Sequence, residues 1–164
     1  MTKIVVLALV GLVLSGCATP YQSQGLIGGF SETQLDENVF QVSFKGNAYT
    51  SSERAADFTL LRSAELTMEN GYRYFIIVDS VRDSQAGAYT TPTRSHTTGS
   101  VYGAGNYAYG SAFTTTTGGQ TYFYSKPRST NTIVLFREKP EIDGLVYDAE
   151  FVSGSIRQKH DIGE

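Results

Sequence analysis

The chain has 164 residues, a formal net charge of −3 at pH 7 and no tryptophan, and 40% of its residues are hydrophobic. This length allows one hydrophobic core and excludes two once an N-terminal segment is set aside. The mild negative charge excludes the basic footprint of a nucleic-acid-binding protein, so DNA and RNA are excluded as partners.

The N-terminus has the composition of an export signal. Lys3 precedes an apolar run over residues 4–14, and small residues then lead to the only cysteine, Cys17. As a helix this run would span about 16 Å, whereas the hydrocarbon core of a bilayer is about 30 Å thick. We therefore predict a cleaved signal peptide over residues 1–16 and not a membrane-spanning anchor.

The residues at the predicted cleavage point, Leu14-Ser15-Gly16-Cys17, resemble a bacterial lipobox. The resemblance implies that the signal peptidase of lipoproteins recognises Leu14, Ser15 and Gly16, and that Cys17 carries a diacylglyceryl group and an N-acyl chain such as palmitate. A lone cysteine fits this chemistry, because an exported protein with one cysteine cannot form an internal disulfide. No cofactor is predicted apart from this covalent lipid.

The residue after the cysteine bears on the membrane that receives the protein. Ala18 stands where an acidic residue retains the enteric lipoproteins that this motif resembles in the inner membrane. The resemblance therefore favours the outer membrane, with the protein facing the periplasm. Residues 17–37 have no clear periodicity, so we predict a lipidated N-terminus and linker, with order beginning at its end, at Gly28-Gly29-Phe30-Ser31.

A single α+β domain is predicted over residues 38–160, and its first half contains three elements. Apolar and polar residues alternate over Val39–Lys45, which is typical of a strand with one buried face. Thr50 and Glu53 match a capping box that starts a helix, and Asn70-Gly71 ends it. An apolar strand follows over Tyr72–Val81. These elements predict a βαβ unit with its strands parallel or nearly so.

The second half of the domain predicts one further core strand over Thr132–Arg137 and a short helix capped by Asp148. The predicted fold is therefore a small sheet of three or more strands, with one main helix, a long insertion rich in Tyr, Thr and Gly, and a short C-terminal helix.

The predicted low-complexity insertion, residues 84–131, contains no Asp or Glu. Either a flexible loop or an extended hairpin fits its composition, and we expect ordered ends with a mobile middle. Basic groups, aromatic faces and hydroxyls together suit glycans, lipid headgroups or a protein partner. The candidate contact residues are Arg94, Tyr107, Tyr109, Tyr122, Tyr124, Lys126 and Arg128.

The sequence contains no pattern of an active site. His96 and His160 are not at metal-ligand or triad spacing, and both are predicted to be solvated. Asp79 and Glu138 lie near the ends of predicted strands, where acidic residues are usually only solvated. We predict no catalytic residue, no metal site and no enzymatic activity.

Several stretches resemble a family of small proteobacterial lipoproteins of uncharacterised function. The helix block Leu60-Leu61-Arg62-Ser63-Ala64-Glu65-Leu66-Thr67 is the most specific of them. The other stretches are residues 29–38, 44–50, 70–75, 118–121 and 126–140. The resemblance implies a class and a location, and it implies no activity and no catalytic residue.

The function expected from these patterns is that of a non-enzymatic accessory or binding module, held on the membrane by its lipid and contacting an envelope protein or glycan. One alternative is a surface-exposed adhesive or matrix component, since alternating Tyr and Thr with low charge favours self-association. The other alternative is an envelope hydrolase, which would need converging polar groups in a cleft.

Overall fold

The structure is a computed structural model that describes residues 18–163, apart from the side chain of Ala104. The described residues divide into two compact units. We call residues 18–85 together with 125–163 the core unit, and Ala86–Tyr124 the ribbon unit. The strands are β1 (Gly29–Asp36), β2 (Val39–Lys45), β3 (Tyr74–Thr90), β4 (Arg94–Ala104), β5 (Tyr107–Thr117), β6 (Thr121–Phe136) and β7 (Tyr147–Asp148). The helices are α1 (Ser52–Glu69) and α2 (Ala149–His160).

Five strands form one sheet in the order β1-β2-β6-β3-β7. β2 is antiparallel to both β1 and β6. Along β3 and β6, Arg73 N donates to Phe136 O at 3.1 Å and Ser80 Oγ donates to Asn131 Oδ1 at 2.9 Å, so these strands are also antiparallel. The mixed α+β class is therefore confirmed.

The predicted βαβ unit is not confirmed, because β6 lies between β2 and β3. The sequence pattern indicated the types of β2, α1 and β3 correctly, but it carries no information about which strand is paired with which. Over its second half, β6 alternates buried and more exposed side chains, as a strand with one buried face does, and its backbone pairs with β2 on one edge and with β3 on the other.

Helix α1 begins one residue later than predicted. Ser51, and not Thr50, is the N-cap, and its hydroxyl accepts from Arg54 N at 3.1 Å. Thr50 is buried, and its hydroxyl is occupied by Thr19 N at 3.1 Å and by Asn47 Oδ1 at 3.0 Å. The predicted end at Asn70-Gly71 is confirmed, with Gly71 at φ +75°.

One face of the sheet packs against the two helices. The fully or nearly fully buried core residues are Phe40, Val42, Phe44, Ala55, Phe58, Leu61, Ala64, Leu66, Phe75, Ile133, Leu135, Ala149 and Ile156. Phe58 lies at the centre of an aromatic group, with edge-to-face contacts to Phe44 at 5.0 Å and Tyr21 at 5.4 Å between ring centroids. Burial of these apolar side chains is the main source of stability.

Two predicted loop segments are ordered parts of the fold. Residues 17–37 were predicted to be a linker, but Gly29–Asp36 is a strand and Thr19 is fully buried. The pattern missed β1 because most of its side chains are exposed. The predicted insertion, residues 84–131, is wider than the ribbon unit, Ala86–Tyr124, because its two ends belong to the core unit, where they form parts of β3 and β6.

The C-terminal helix predicted after Asp148 is confirmed. The Asp148 carboxylate accepts from Glu150 N at 3.2 Å and from Phe151 N at 3.4 Å, as an N-cap does. Among the described residues, no helix has the length and apolar character needed to cross a membrane.

Candidate functional site

The predicted lipidation site lies outside the described residues. Cys17 and the recognition residues Leu14, Ser15 and Gly16 all precede Ala18, where the description of the structure begins. Their roles remain predictions from the sequence.

The chain is fastened to the core unit two residues after Cys17. Thr19 N donates to Thr50 Oγ1 at 3.1 Å, and Thr19 Oγ1 accepts from Asn47 N at 2.9 Å. The same hydroxyl donates to Ile27 O at 2.9 Å. Thr19 therefore joins the N-terminal segment to the turn after β2, and it is fully buried there.

A two-residue turn follows, which we call the tip turn, Gly25–Gly28. Gly25 N donates to Gly28 O at 2.9 Å, so Leu26 and Ile27 occupy the two central positions. Leu26 is fully exposed and Ile27 is 56% exposed. Gly28 has φ +105°, and a Cβ there would lie 2.1 Å from Lys45 O. Glycine is therefore needed at this position, and it holds the tip turn against β2.

Two recesses share Lys45 and Lys126 in their linings, and the tip turn borders one of them. One recess, of about 140 Å³, is lined by the tip turn together with Lys45 and Lys126. The other, of about 270 Å³, is lined by Lys45, Lys126 and Arg128, with Asp83 as its acidic group. Arg128 is opposite Lys45 in the β2–β6 register, and its Nε donates to Ser43 Oγ at 3.3 Å. We call Lys45, Lys126 and Arg128 the basic cluster.

In the ribbon unit, β4 and β5 form a regular antiparallel hairpin in which every described side chain is exposed. Because side chains alternate along a strand, the register separates them onto two faces. One face carries Tyr102 opposite Tyr109, Phe113 opposite Thr98, and Tyr107. These four aromatic side chains, which we call the aromatic face, are 72–76% exposed.

The opposite face of the hairpin is made of smaller side chains. It carries Gly99, Gly103, Ala108, Gly110 and Ala112, together with Val101. Hydroxyl pairs extend this small-residue face, with Ser95 Oγ and Thr116 Oγ1 3.0 Å apart and Thr97 Oγ1 and Thr114 Oγ1 2.9 Å apart. The hairpin is therefore held by its backbone ladder and by hydroxyl pairs, and not by a core.

The predicted contact residues are distributed over both units. Tyr107 and Tyr109 share the aromatic face, and Arg94 begins β4 on the same side, opposite Thr117. Tyr122 OH donates to Gln120 Oε1 at 2.7 Å, and the Tyr124 ring lies across Gly87. Lys126 and Arg128 belong to the core unit, where they line a recess with Lys45, a residue that the sequence analysis did not include among the contact residues. Lys45 lies near them because β2 pairs with β6, and a single sequence does not show such long-range pairing.

A cleft of about 560 Å³ lies beside the two helices, and its principal charges are paired. Glu65 accepts from Tyr21 OH, from Arg157 Nη2 at 2.5 Å and from Arg62 Nη1 at 3.4 Å. Burial raises the pKa of Tyr21 well above its ordinary range, and its hydrogen bond to Glu65 adds to this effect. The residues lining the cleft are Tyr21, Glu65, Met68, Glu69, Glu150, Ser153, Gly154 and Arg157. This network fastens the N-terminal segment to both helices.

The prediction that His160 is solvated is wrong. Its Nε2 lies 2.7 Å from Asp57 Oδ2, and its ring packs edge to face on Phe58 at 5.0 Å. Burial tends to raise the pKa of Asp57, but hydrogen bonds from Lys159 and His160 outweigh burial and hold it below its ordinary value of 3.8. His96, in contrast, is exposed in the ribbon unit. The sequence spacing of 103 residues between Asp57 and His160 hid this contact.

Within residues 18–163 there is no group of three or more His, Cys, Asp or Glu side chains that could hold a metal ion. No family model, no curated protein and no solved structure matches this chain. The resemblance to small proteobacterial lipoproteins therefore stays a prediction.

Proposed function

We propose that the protein is a lipid-anchored component of the bacterial envelope, held by acyl chains on Cys17 at the outer membrane and facing the periplasm. It serves there as a non-enzymatic accessory or binding module. The ribbon unit is its contact surface for an envelope protein or glycan. Ala86–Tyr124 acts in this role as an ordered ribbon and not as an unstructured loop.

The observation that carries the binding role is the aromatic face. Each aromatic side chain can bury about 150–250 Å². Four side chains exposed to about three quarters thus offer roughly 450–750 Å² on one face, close to the roughly 800 Å² that each partner contributes to a stable interface. Contiguous apolar patches of this size mark interaction sites on soluble domains.

The chemistry of the surface also limits the class of partner. Residues 84–131 contain no carboxylate, so a cationic partner finds no countercharge on the ribbon unit. Tyrosine rings with exposed hydroxyls can stack on apolar side chains or on the faces of sugar rings while hydrogen bonding at their rim. A protein or glycan surface of low charge fits these groups best.

The lipid anchor is tested by replacing Cys17, which has the only thiol of the chain. Cys17→Ser should stop both acylation and cleavage of the signal. The cleaved, lipidated form of the protein should therefore be missing from the membrane fraction. Ser15→Ala, which keeps a small residue in the lipobox, should change neither. Intact processing and an unchanged acylated mass in Cys17→Ser would contradict the anchor.

The contact surface is tested by removing its aromatic rings. Tyr102→Ser combined with Tyr109→Ser and Phe113→Ser should abolish the adduct formed when living cells are treated with a crosslinker. Val101→Ser is the matched control, because Val101 is exposed to 75% on the opposite face. Equal adducts in the two variants would contradict the assignment of the contact to the aromatic face.

A second candidate function, an adhesive or matrix component, is favoured by the small-residue face. A flat face of glycine and alanine lets two ribbons approach closely, as in stacked sheets. Adducts of twice the chain's mass, together with cleavage of the ribbon unit when intact cells are treated with protease, would favour this candidate. An adduct of different mass and protection from the protease would favour the periplasmic module.

A further inference from the structure

We infer that the core unit is seated directly on the bilayer surface, with Leu26 and Ile27 of the tip turn inserted at the headgroup level and the basic cluster against lipid phosphate groups. This inference rests on the proposed lipidation of Cys17 and adds an orientation and a second membrane contact to it. Three observations carry it: the length of the tether, the side chains at the tip turn and the charge beside them.

The tether between the lipid and the folded domain is very short. Thr19 is fully buried and is fixed by three hydrogen bonds to Thr50, Asn47 and Ile27. Two residue spacings separate it from Cys17, so their Cα atoms lie at most about 7 Å apart. A lipid on Cys17 therefore holds the surface around Thr19 at the membrane and leaves the domain no linker on which to move away.

The tip turn carries side chains that the turn itself does not need. Two-residue turns ordinarily place Gly, Asn, Asp or Ser at their central positions, because these residues supply the backbone conformation or a local hydrogen bond. Here the flanking Gly25 and Gly28 provide the flexibility, and Leu26 and Ile27 stand at the exposed centre. Neither belongs to the buried core. An aliphatic pair held outward in this way gains free energy when it enters the apolar boundary of a bilayer.

The charge beside the tip turn matches a lipid surface. Lys45 and Lys126 line the recess that the tip turn borders, and Arg128 lines the next one with them. Lysine and arginine can place their ammonium or guanidinium groups at lipid phosphates while their methylene stems lie along apolar surface. Gly28 keeps the tip turn at backbone contact with Lys45, so the apolar and basic groups are presented together.

A bilayer accounts for these groups better than a protein partner does, because the tip turn and the end of β2 are both joined to Thr19, which is two residues from the predicted lipid site in sequence. Thr19 Oγ1 donates to Ile27 O on one side and accepts from the backbone N–H of Asn47, two residues after Lys45, on the other. An apolar tip flanked by cations is also the usual pattern of a peripheral membrane contact.

The absence of tryptophan from the chain allows a direct test. Leu26→Trp introduces a single indole at the tip turn, and Leu35→Trp is the matched control at the opposite end of β1, where Leu35 is 55% exposed. Each full chain is expressed with its signal, purified in detergent and reconstituted into phosphatidylcholine vesicles with and without phosphatidylglycerol. Emission wavelength and quenching by lipids brominated on their acyl chains report the depth of the indole.

The expected result is a blue-shifted emission and several-fold stronger quenching for the indole at position 26 than for that at position 35. Phosphatidylglycerol should increase the difference, and Lys45→Gln combined with Lys126→Gln should remove that increase, whereas Lys139→Gln should not. Equal quenching at the two positions in an acylated chain would overturn the inference and leave the lipid anchor standing. A purified chain whose mass shows no acyl groups would overturn the anchor, and the inference with it.

Discussion

The core unit and the ribbon unit both contain β-strands, but strands of the core unit bury side chains in a hydrophobic core, whereas the described side chains of the hairpin in the ribbon unit are exposed. In the core unit, Phe44, Phe58 and Phe75 are completely buried, and apolar burial determines which residues the strands and helices can contain. In the ribbon unit, every described side chain of β4 and β5 is exposed, and an isolated two-stranded hairpin is only marginally stable. Folding therefore does not explain the aromatic side chains of the ribbon unit, and their exposure is what makes them available to a partner.

The largest expected effect compares one phenylalanine in each unit. Phe58→Ala removes a ring at the centre of an aromatic group and should lower the free energy of unfolding by about 3–5 kcal/mol. Phe113→Ala, at a residue that is 74% exposed, should change it by less than about 0.5 kcal/mol. Urea unfolding of the two variants and the unsubstituted chain measures both values. Similar losses in the two variants would break the distinction between the units.

A smaller effect is expected from the charged network that fastens the N-terminal segment. Glu65→Gln removes the charge that Arg62 and Arg157 share, and the side chain of Glu65 is only 12% exposed. We expect a loss of about 2 kcal/mol, the usual value for hydrogen bonds to charged groups. Glu37→Gln, which removes an exposed carboxylate at the β1–β2 turn, should leave the free energy of unfolding nearly unchanged. An equally stable Glu65→Gln variant would show that the charged network does not contribute to holding the segment.

A modest pH dependence should come from Asp57. Its pKa lies below 3.8 in the folded state because its hydrogen bonds to Lys159 and His160 outweigh its burial. A lowered folded-state pKa contributes stability that is present above about pH 4 and is lost as the pH falls through the folded value. The unfolding free energy of Asp57→Asn should therefore fall less steeply on acidification below about pH 4 than that of the unsubstituted chain. Asp83→Asn is the control, and identical slopes for all three chains would contradict this role.

The smallest expected effect on stability is that of removing the hairpin itself. Deleting residues 94–117 joins Thr93 to Gly118, where Gly118 and Gly119 have positive φ values suited to a turn. The core unit loses no buried side chain, so its midpoint of urea denaturation should stay within the error of the measurement. A large shift of the midpoint would show that the ribbon unit contributes to the stability of the core unit.

The same contrast explains which parts could be predicted from the sequence. Alternation over β2 reflects burial, whereas the N-cap signals of both helices and the glycine after α1 reflect local backbone hydrogen bonding, so these elements were predicted with boundaries close to those of the structure. Strand β1 and the hairpin bury few or no side chains, and their sequences therefore carry no periodic signal. The place of β6 between β2 and β3 depends on pairing across the chain, which periodicity does not encode.

The residues of the candidate sites could also be predicted only where local sequence identifies them, and not where strand pairing brings them together. Tyr107 and Tyr109 were identified by composition, whereas the aromatic face also contains Tyr102 and Phe113, which only the strand register places beside them. Lys45 joins Lys126 and Arg128 because β2 and β6 are neighbours, although more than 80 residues separate them in sequence.

The aromatic face of the ribbon unit, as the proposed contact surface, can be tested one side chain at a time. Tyr109 and Ala108 are adjacent in β5 and lie on opposite faces, so a photocrosslinking amino acid at each position makes a matched pair in the full chain in living cells. We expect a discrete adduct from position 109 and none from position 108. Adducts of equal yield from the two positions, or an adduct from position 108 alone, would contradict it.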